Sequence, residues 1–423
     1  MKTALLLATL LVVALILWWV APLVLPPELT TLEDEPALVE LLERAPAGAT
    51  NVIAVPSFAP AWRRFDSILG PLVGEGARTG LDAAAWVAGG APLVAWEGEE
   101  TWGAVARPDP LRRLVIRLLG GLSGADVRVD GATVFFGPSP SRGAPMGEIP
   151  ALAPGHLFLL HRDGATYPPM PRPAWSAVRV IGDRVEVTTI GTSDRPRRQI
   201  PLAGTSLPRG ALLAARVAEP PEAIAAIDEV FPLPIGRFLE QGGLVALYGV
   251  DRGGLVPVPR LVFGIPADDA RAAEIVELID RATLRGAARL LLGRRPDETR
   301  QVAGTEVTRR RGIGLTIEFA RREGEFLIAF DDETLPRLLE DGRVPAGKGG
   351  AVWVMRARVR ELLPAAEALG YSDALRLLAP DFASEARELA ETLRRAPPAR
   401  EVRAVMRQDE ERLRLEAELA LQK

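Results

Sequence analysis

The chain has no cysteine and only two histidines, His156 and His161, in 423 residues. Without cysteine there are no disulfides, no thiolate metal sites, no thiol nucleophile and no lipid-bearing cysteine near the N-terminus. The two histidines stand five apart in a strand-like segment, which puts them on opposite faces, so they cannot ligate one metal together. No metal and no cofactor is expected. Lysine occurs only at Lys2, Lys348 and Lys423, and every other basic residue is arginine. With the heavy use of Ala, Gly and Pro, this fits a GC-rich bacterial genome. The formal net charge is only −4, which does not recommend nucleic acid as a partner.

What is present is an ordinary globular mixture, 48% hydrophobic and 25% charged, in a chain long enough for two or three structural units. From Thr3 to Pro27 no residue is charged, and Ala4 to Leu25 reads ALLLATLLVVALILWWVAPLVL. About 20 such residues cross a hydrocarbon core of about 30 Å. Lys2 precedes this run, and Glu28, Glu33, Asp34, Glu35 and Glu40 follow it. The positive-inside rule then puts the N-terminus in the cytoplasm and the rest of the chain outside it, on the periplasmic side of a bacterial cell membrane. Trp18 and Trp19 suit the outer headgroup boundary. A cleaved signal peptide is the rival reading. Its apolar region is usually about 7 to 15 residues and ends at small residues, whereas bulky side chains fill the corresponding zone here. A buried soluble helix is the third reading.

Beyond residue 27, the pattern predicts a stalk or lid helix in 28–48 and then modules that repeat one order of elements: strand, helix, hairpin, helix, hairpin. The first module, 49–207, opens on NVIAVPS and carries extra strands in HLFLLHR, WSAVRVI and RVEVTTI. The second, 208–345, opens on ALLAARV. A shortened third, 346–423, opens on AVWVMRARV. Runs of hairpins without continuous strand–helix–strand alternation predict an α+β fold: an N-terminal transmembrane helix, then repeated modules of antiparallel sheet with helices packed on one face. An anchor followed by modules opening on these three segments resembles bacterial membrane-anchored envelope proteins grouped as domains of unknown function. The resemblance implies location and fold, and it carries no functional residues.

Motifs of phosphate chemistry fail on context. Gly342–Gly349, GRVPAGKG, has Gly349 where Ser or Thr should bind magnesium, and it follows a helix and precedes a strand, the reverse of a phosphate loop. GEGARTG at 74–80 has the wrong spacing for a dinucleotide loop. Asp268/Asp269 and Asp331/Asp332 stand just before helices, where capping accounts for them better than acid–base work. Ser139, Ser141 and Ser193 lack a nucleophile elbow and a histidine base. Trp62, Trp86, Trp96 and Trp102 concentrate in the first module. They build its core or, alternatively, line an apolar groove. Arg309, Arg310 and Arg311 form, with Arg294 and Arg295, the densest basic cluster, either a solvated hairpin face or a contact for anionic headgroups or an acidic partner.

The expected function is a membrane-tethered, non-enzymatic scaffold or binding protein of the envelope, partnered by the bilayer and by an envelope protein or lipid. The alternative is a carrier of a lipid or other apolar ligand, and a third is an enzyme using carboxylates or arginines alone.

Overall fold

The computed structural model describes residues 35–46, 49, 51–69, 82, 85–97, 102–123, 127–137, 157–161, 174–193, 195–219, 235–253, 256–284, 297–311, 316–395, 399–410 and 412–421. The expected anchor, with Lys2, Trp18 and Trp19, lies outside them. Among the described residues no helix is long and apolar enough to cross a membrane. The fold is α+β, its described strand pairs antiparallel, and the chain divides into two compact units, 1–192 and 193–423.

The first unit holds β1 (Asn51–Val55), β2 (Leu93–Glu97), β3 (Trp102–Ala106), β4 (Val127–Asp130), β5 (Thr133–Phe136), β6 (Leu157–His161), β7 (Ala174–Ile181) and β8 (Arg184–Thr192). Pairing arranges them as β8-β7-β6-β1-β2-β3-β5-β4. The strands expected to extend the first sheet, β6 to β8, do so. The β4–β5 turn at Asp130-Gly131 uses the left-handed backbone that glycine permits, with Gly131 at φ +58°.

Helices cover both faces of this sheet, not one. In β1, Val52 and Ala54 face one side and Val55 the other, and all three are buried. Leu38, Leu41 and Leu42 of α1 (Glu35–Leu42) pack with Val52, Ala54, Val94, Trp96, Val105 and Phe135. Burying each leucine stabilises by about 1.5–3 kcal/mol, so the described part of the expected stalk is a packed layer of the first unit. On the other face, Phe58 and Trp62 of α2 (Phe58–Leu69) pack with Val55, Leu93, Ala106 and Ala88. α3 (Pro110–Ser123) links β3 to β4.

The second unit repeats the scheme with β11 (Leu213–Val217), β12 (Gly243–Asp251), β13 (Val258–Pro266), β14 (Glu298–Val302), β15 (Thr305–Arg311), β16 (Thr316–Arg322), β17 (Glu325–Ala329), β20 (Trp353–Ala357), β21 (Ala399–Asp409) and β22 (Arg412–Leu421). Their order is β22-β21-β20-β11-β12-β13-β17-β16-β15-β14. In each unit the opening strand has two strands and then a returning one on one side, and a three-strand meander on the other. The segment expected as a third module therefore completes the second sheet: β20 pairs with β11 from Leu213↔Ala357 to Val217↔Trp353. It takes the place that β6 takes beside β1, because a meander left alone would expose unpaired backbone along its edge.

The unit boundary falls after Thr192, not after residue 207. Residues 193–208 belong to the second unit: Gln408 accepts the Arg197 amide at 2.7 Å and donates to the Arg195 carbonyl at 3.0 Å. Two short ribbons add to this, β9 (Ile200–Pro201) with β19 (Gly350–Ala351) and β10 (Ser206–Pro208) with β18 (Arg343–Pro345). On one face of the second sheet, α4 (Ile235–Phe238) and α5 (Asp269–Leu284) pack on Phe263, Ile265, Ile317 and Ile328. On the other, α6 (Thr334–Glu340) packs on Val262, Val307, Leu327 and Ala329. The link from β20 to β21 is a helical excursion, α7 (Val359–Gly370), α8 (Asp373–Leu378) and α9 (Pro380–Arg395).

Candidate binding surface

Leu377 and Leu378 of α8 are exposed in the second unit, while five of the large apolar side chains that packing leaves in solvent, Ile53, Trp86, Trp102, Leu114 and Leu118, belong to the α2-bearing side of the first sheet. The second strand-to-strand link there starts with a cap. Asp109 Oδ1 accepts the amides of Leu111 and Arg112, each at 3.0 Å, and Pro110 takes the first helical position, where its missing N–H costs nothing. Burial opposes ionisation of Asp109, but the Arg112 amide and guanidinium and the Leu111 amide outweigh it and hold its carboxyl below the usual range. Arg112 is buried, ion-paired with Asp109, and its Nε donates to the Trp86 carbonyl at 3.0 Å. This ties α3 to the segment carrying Trp86.

β5 lies between β3 and β4 and is antiparallel to both, so β4 runs parallel to β3 and α3 must return against β3. The described contacts of α3 in the sheet are with β4. Ile116 is the buried contact of this helix, whereas Leu114 and Leu118, one turn apart, are 50% and 62% exposed. Arg117 is exposed, and Arg113 donates to the Gly131 carbonyl at 3.1 Å. Residues 110–123 contain no acidic side chain, and among the described residues no carboxylate pairs with Arg113 or Arg117.

The sheet contributes the remainder. Register pairs place Val55, Leu93, Ala106 and Val134 in one buried transverse row, and Ile53, Ala95, Ala104 and Phe136 in the next, which is only partly covered. Trp102 stands one step further out and is 62% exposed. Trp86 is 39% exposed.

The four tryptophans do not line one groove. Trp62 is core, its Nε1 donating to Asp82 at 2.7 Å, and Trp96 is buried on the opposite face of the sheet. Trp96 pairs with Gly103, so Trp102, the next residue along, points the other way. The Trp96 ring lies over Gly103, where an added Cβ would come within 2.5 Å of it. Only Trp86 and Trp102 reach solvent. Leu114 and Leu118 were not among the sequence candidates, although LRRLVIRLL carries leucines and arginines around more of the helix than one buried face requires.

Of the arginine cluster, Arg309, Arg310 and Arg311 are engaged, and Arg294 and Arg295 lie outside the described residues. Arg309 Nε donates to Glu318 at 2.6 Å, Arg310 bonds Asp280 at 2.5 Å and Asp297 at 2.9 Å, and Arg311 lies 3.7 Å from Glu298. Alternation along β15 sends Arg310 to the opposite face from its neighbours. Hydrogen bonds donated to Asp297 and Asp280 raise the Arg310 guanidinium above its usual value despite burial. Glu318 is fully buried and takes a second guanidinium from Arg300 at 2.6 Å. Burial still pushes its carboxyl above the usual range, outweighing both arginines.

Asp268 and Asp331 act as helix caps: Asp268 accepts the Arg271 amide at 2.8 Å, and Asp331 those of Glu333 and Thr334 at 2.8 and 2.6 Å. GRVPAGKG follows α6 and contains β18, with Gly347 and Gly349 at positive φ. An open, polar depression of about 500 Å³ in the second unit is lined by Arg252, Pro257, Pro364, Glu367, Ala368 and Ser372. Compared with protein-family models, curated proteins and solved structures, the chain matches none.

Proposed function

We propose that the chain is a membrane-tethered binding or scaffold protein of the bacterial envelope, without catalytic activity, held by residues 4–25 with its bulk on the periplasmic side. The observation that carries the binding role is the exposed apolar face of the first unit, where Leu114, Leu118 and Trp102 reach solvent although Trp62 and Trp96 nearby are core. The tether rests on the uncharged run from Thr3 to Pro27 between Lys2 and the acidic residues that follow. Catalysis is left out because the sequence pairs no nucleophile with a base. The resemblance to anchored envelope proteins points the same way.

Fusion of alkaline phosphatase to Lys423 tests the topology. The reading expects an active fusion that stays with membranes through carbonate extraction. An inactive fusion, or one released by carbonate, overturns it.

The partly covered row of Ile53, Ala95, Ala104 and Phe136 favours a second reading, a carrier whose ligand lies across the strands. Small alanines between larger apolar ends leave room for an acyl chain. Native mass spectrometry of the purified chain would show a bound lipid mass under that reading, and a uniformly empty protein excludes it.

A further inference from the structure

We infer that the α3 face of the first unit docks on an anionic phospholipid surface, with Leu114 and Leu118 entering the headgroup–acyl boundary and Arg113 and Arg117 meeting lipid phosphates. Three features carry it together. The first is apolar exposure where an amphipathic surface helix needs it: two leucines one turn apart on the outer side, with Ile116 turned inward. The second is charge. The helix carries Arg112, Arg113 and Arg117 and no acid, and Arg112 is consumed by Asp109 and Trp86, which leaves the two outer arginines for an anionic partner. A neutral apolar partner would not require them. The third is aromatic: Trp86, tied to α3 through Arg112, and Trp102, exposed at the start of β3, supply indoles of the kind favoured at headgroup depth.

The inference rests on the tether of the proposed function. Only residues 28–34 separate the apolar run from α1, and seven residues reach at most about 25 Å when extended. The first unit is therefore held beside the bilayer, where even a weak surface affinity acts at high effective concentration.

The absence of cysteine makes the test direct. Full-length Leu118→Cys chain is labelled with an environment-sensitive fluorophore and reconstituted in nanodiscs of phosphatidylcholine with and without phosphatidylglycerol. Val258→Cys, on an exposed residue of the second unit, serves as control. The expected result is quenching of the Leu118 label by nitroxide-bearing lipid, shielding from aqueous iodide, and strengthening of both by phosphatidylglycerol. The Val258 label stays open to iodide. Arg113→Gln with Arg117→Gln should abolish the phosphatidylglycerol dependence.

A chain that stays in the nanodisc with its Leu118 label in water refutes docking and leaves the tether standing. A chain that does not stay in the nanodisc refutes both. Shielding that persists in detergent alongside a co-purifying protein assigns the face to a protein partner and overturns the lipid assignment.

Discussion

Gly370→Ala sets two effects of opposite sign against each other. Gly370 is the last residue of α7 and does not occupy the left-handed region that would demand glycine. Sequence reasoning alone therefore expects alanine to help, by up to about 1 kcal/mol through helix propensity and a less flexible unfolded chain. The packing says otherwise. A Cβ at Gly370 would lie 2.5 Å from the Cα of Arg387 in α9, and closer still to its amide nitrogen. Carbon atoms sit comfortably at about 3.5–4.0 Å, and the obstacle is backbone, so α7 and α9 would have to part by about 1 Å. Overpacking of this kind costs about 1–3 kcal/mol.

Parting the helices also strains what joins them. Tyr371 takes Arg387 and Arg394 over its ring at 5.3 and 5.0 Å, and Arg394 bonds Glu367 and the Tyr371 hydroxyl, each at 2.8 Å. The clash wins, and the variant should lose about 1–2 kcal/mol, or about 2–4 °C of midpoint per kcal/mol in a unit of this size. Hydrogen exchange read by mass spectrometry should quicken in 359–395 and stay unchanged in the first unit. Ser384→Ala, at an exposed position of α9, controls for propensity and should be neutral or slightly stabilising. A raised midpoint with unchanged exchange in α7 and α9 would refute the close approach.

Two further predictions concern buried charge. Arg356 is buried, bonds Glu401 at 2.7 Å and donates to the Arg209 carbonyl at 2.6 Å. Burial works against ionised Glu401, but bonds from Arg356 and Arg403 hold its carboxyl below the usual range. That contribution is present above about pH 4.3, the unfolded value, and is lost as the pH falls through the lowered one. Arg356→Met should cost about 3 kcal/mol at neutral pH, with the gap to the parent narrowing in acid, measured by urea midpoints. Glu318 has the opposite sign: its raised value means its contribution is present below about pH 4.3 and is lost as the pH rises through that raised value. Glu318→Gln should flatten the pH dependence of stability from acid to neutral. A pH profile parallel to the parent's would contradict the burial argument.

Local patterns carried much of the fold. The strands opening each module, the cap at Asp109, the Asp130-Gly131 turn and the caps at Asp268 and Asp331 are set by neighbours in sequence, through alternation and unpaired backbone groups. Covering of both faces was not expected, although NVIAV and RLVFGIP carry its signal in being apolar on both sides of the pleat, as buried double-faced strands are. Leu114 and Leu118 were visible as leucines, but which ones stay in water depends on which side of α3 meets the sheet.

The sequence by itself determined the chemistry that is out of reach, with no thiol and almost no imidazole, and the order and type of the elements. Tertiary structure alone decided that β20 to β22 complete the second sheet, that Trp96 and Trp102 part to opposite faces, and that Arg309, Arg310 and Arg311 are each drawn to carboxylates. The physical reason is range. A helix cap or a turn is specified within a few residues, whereas β11 meets β20 across well over a hundred, and that pairing depends on complementary edges and faces that no local window contains.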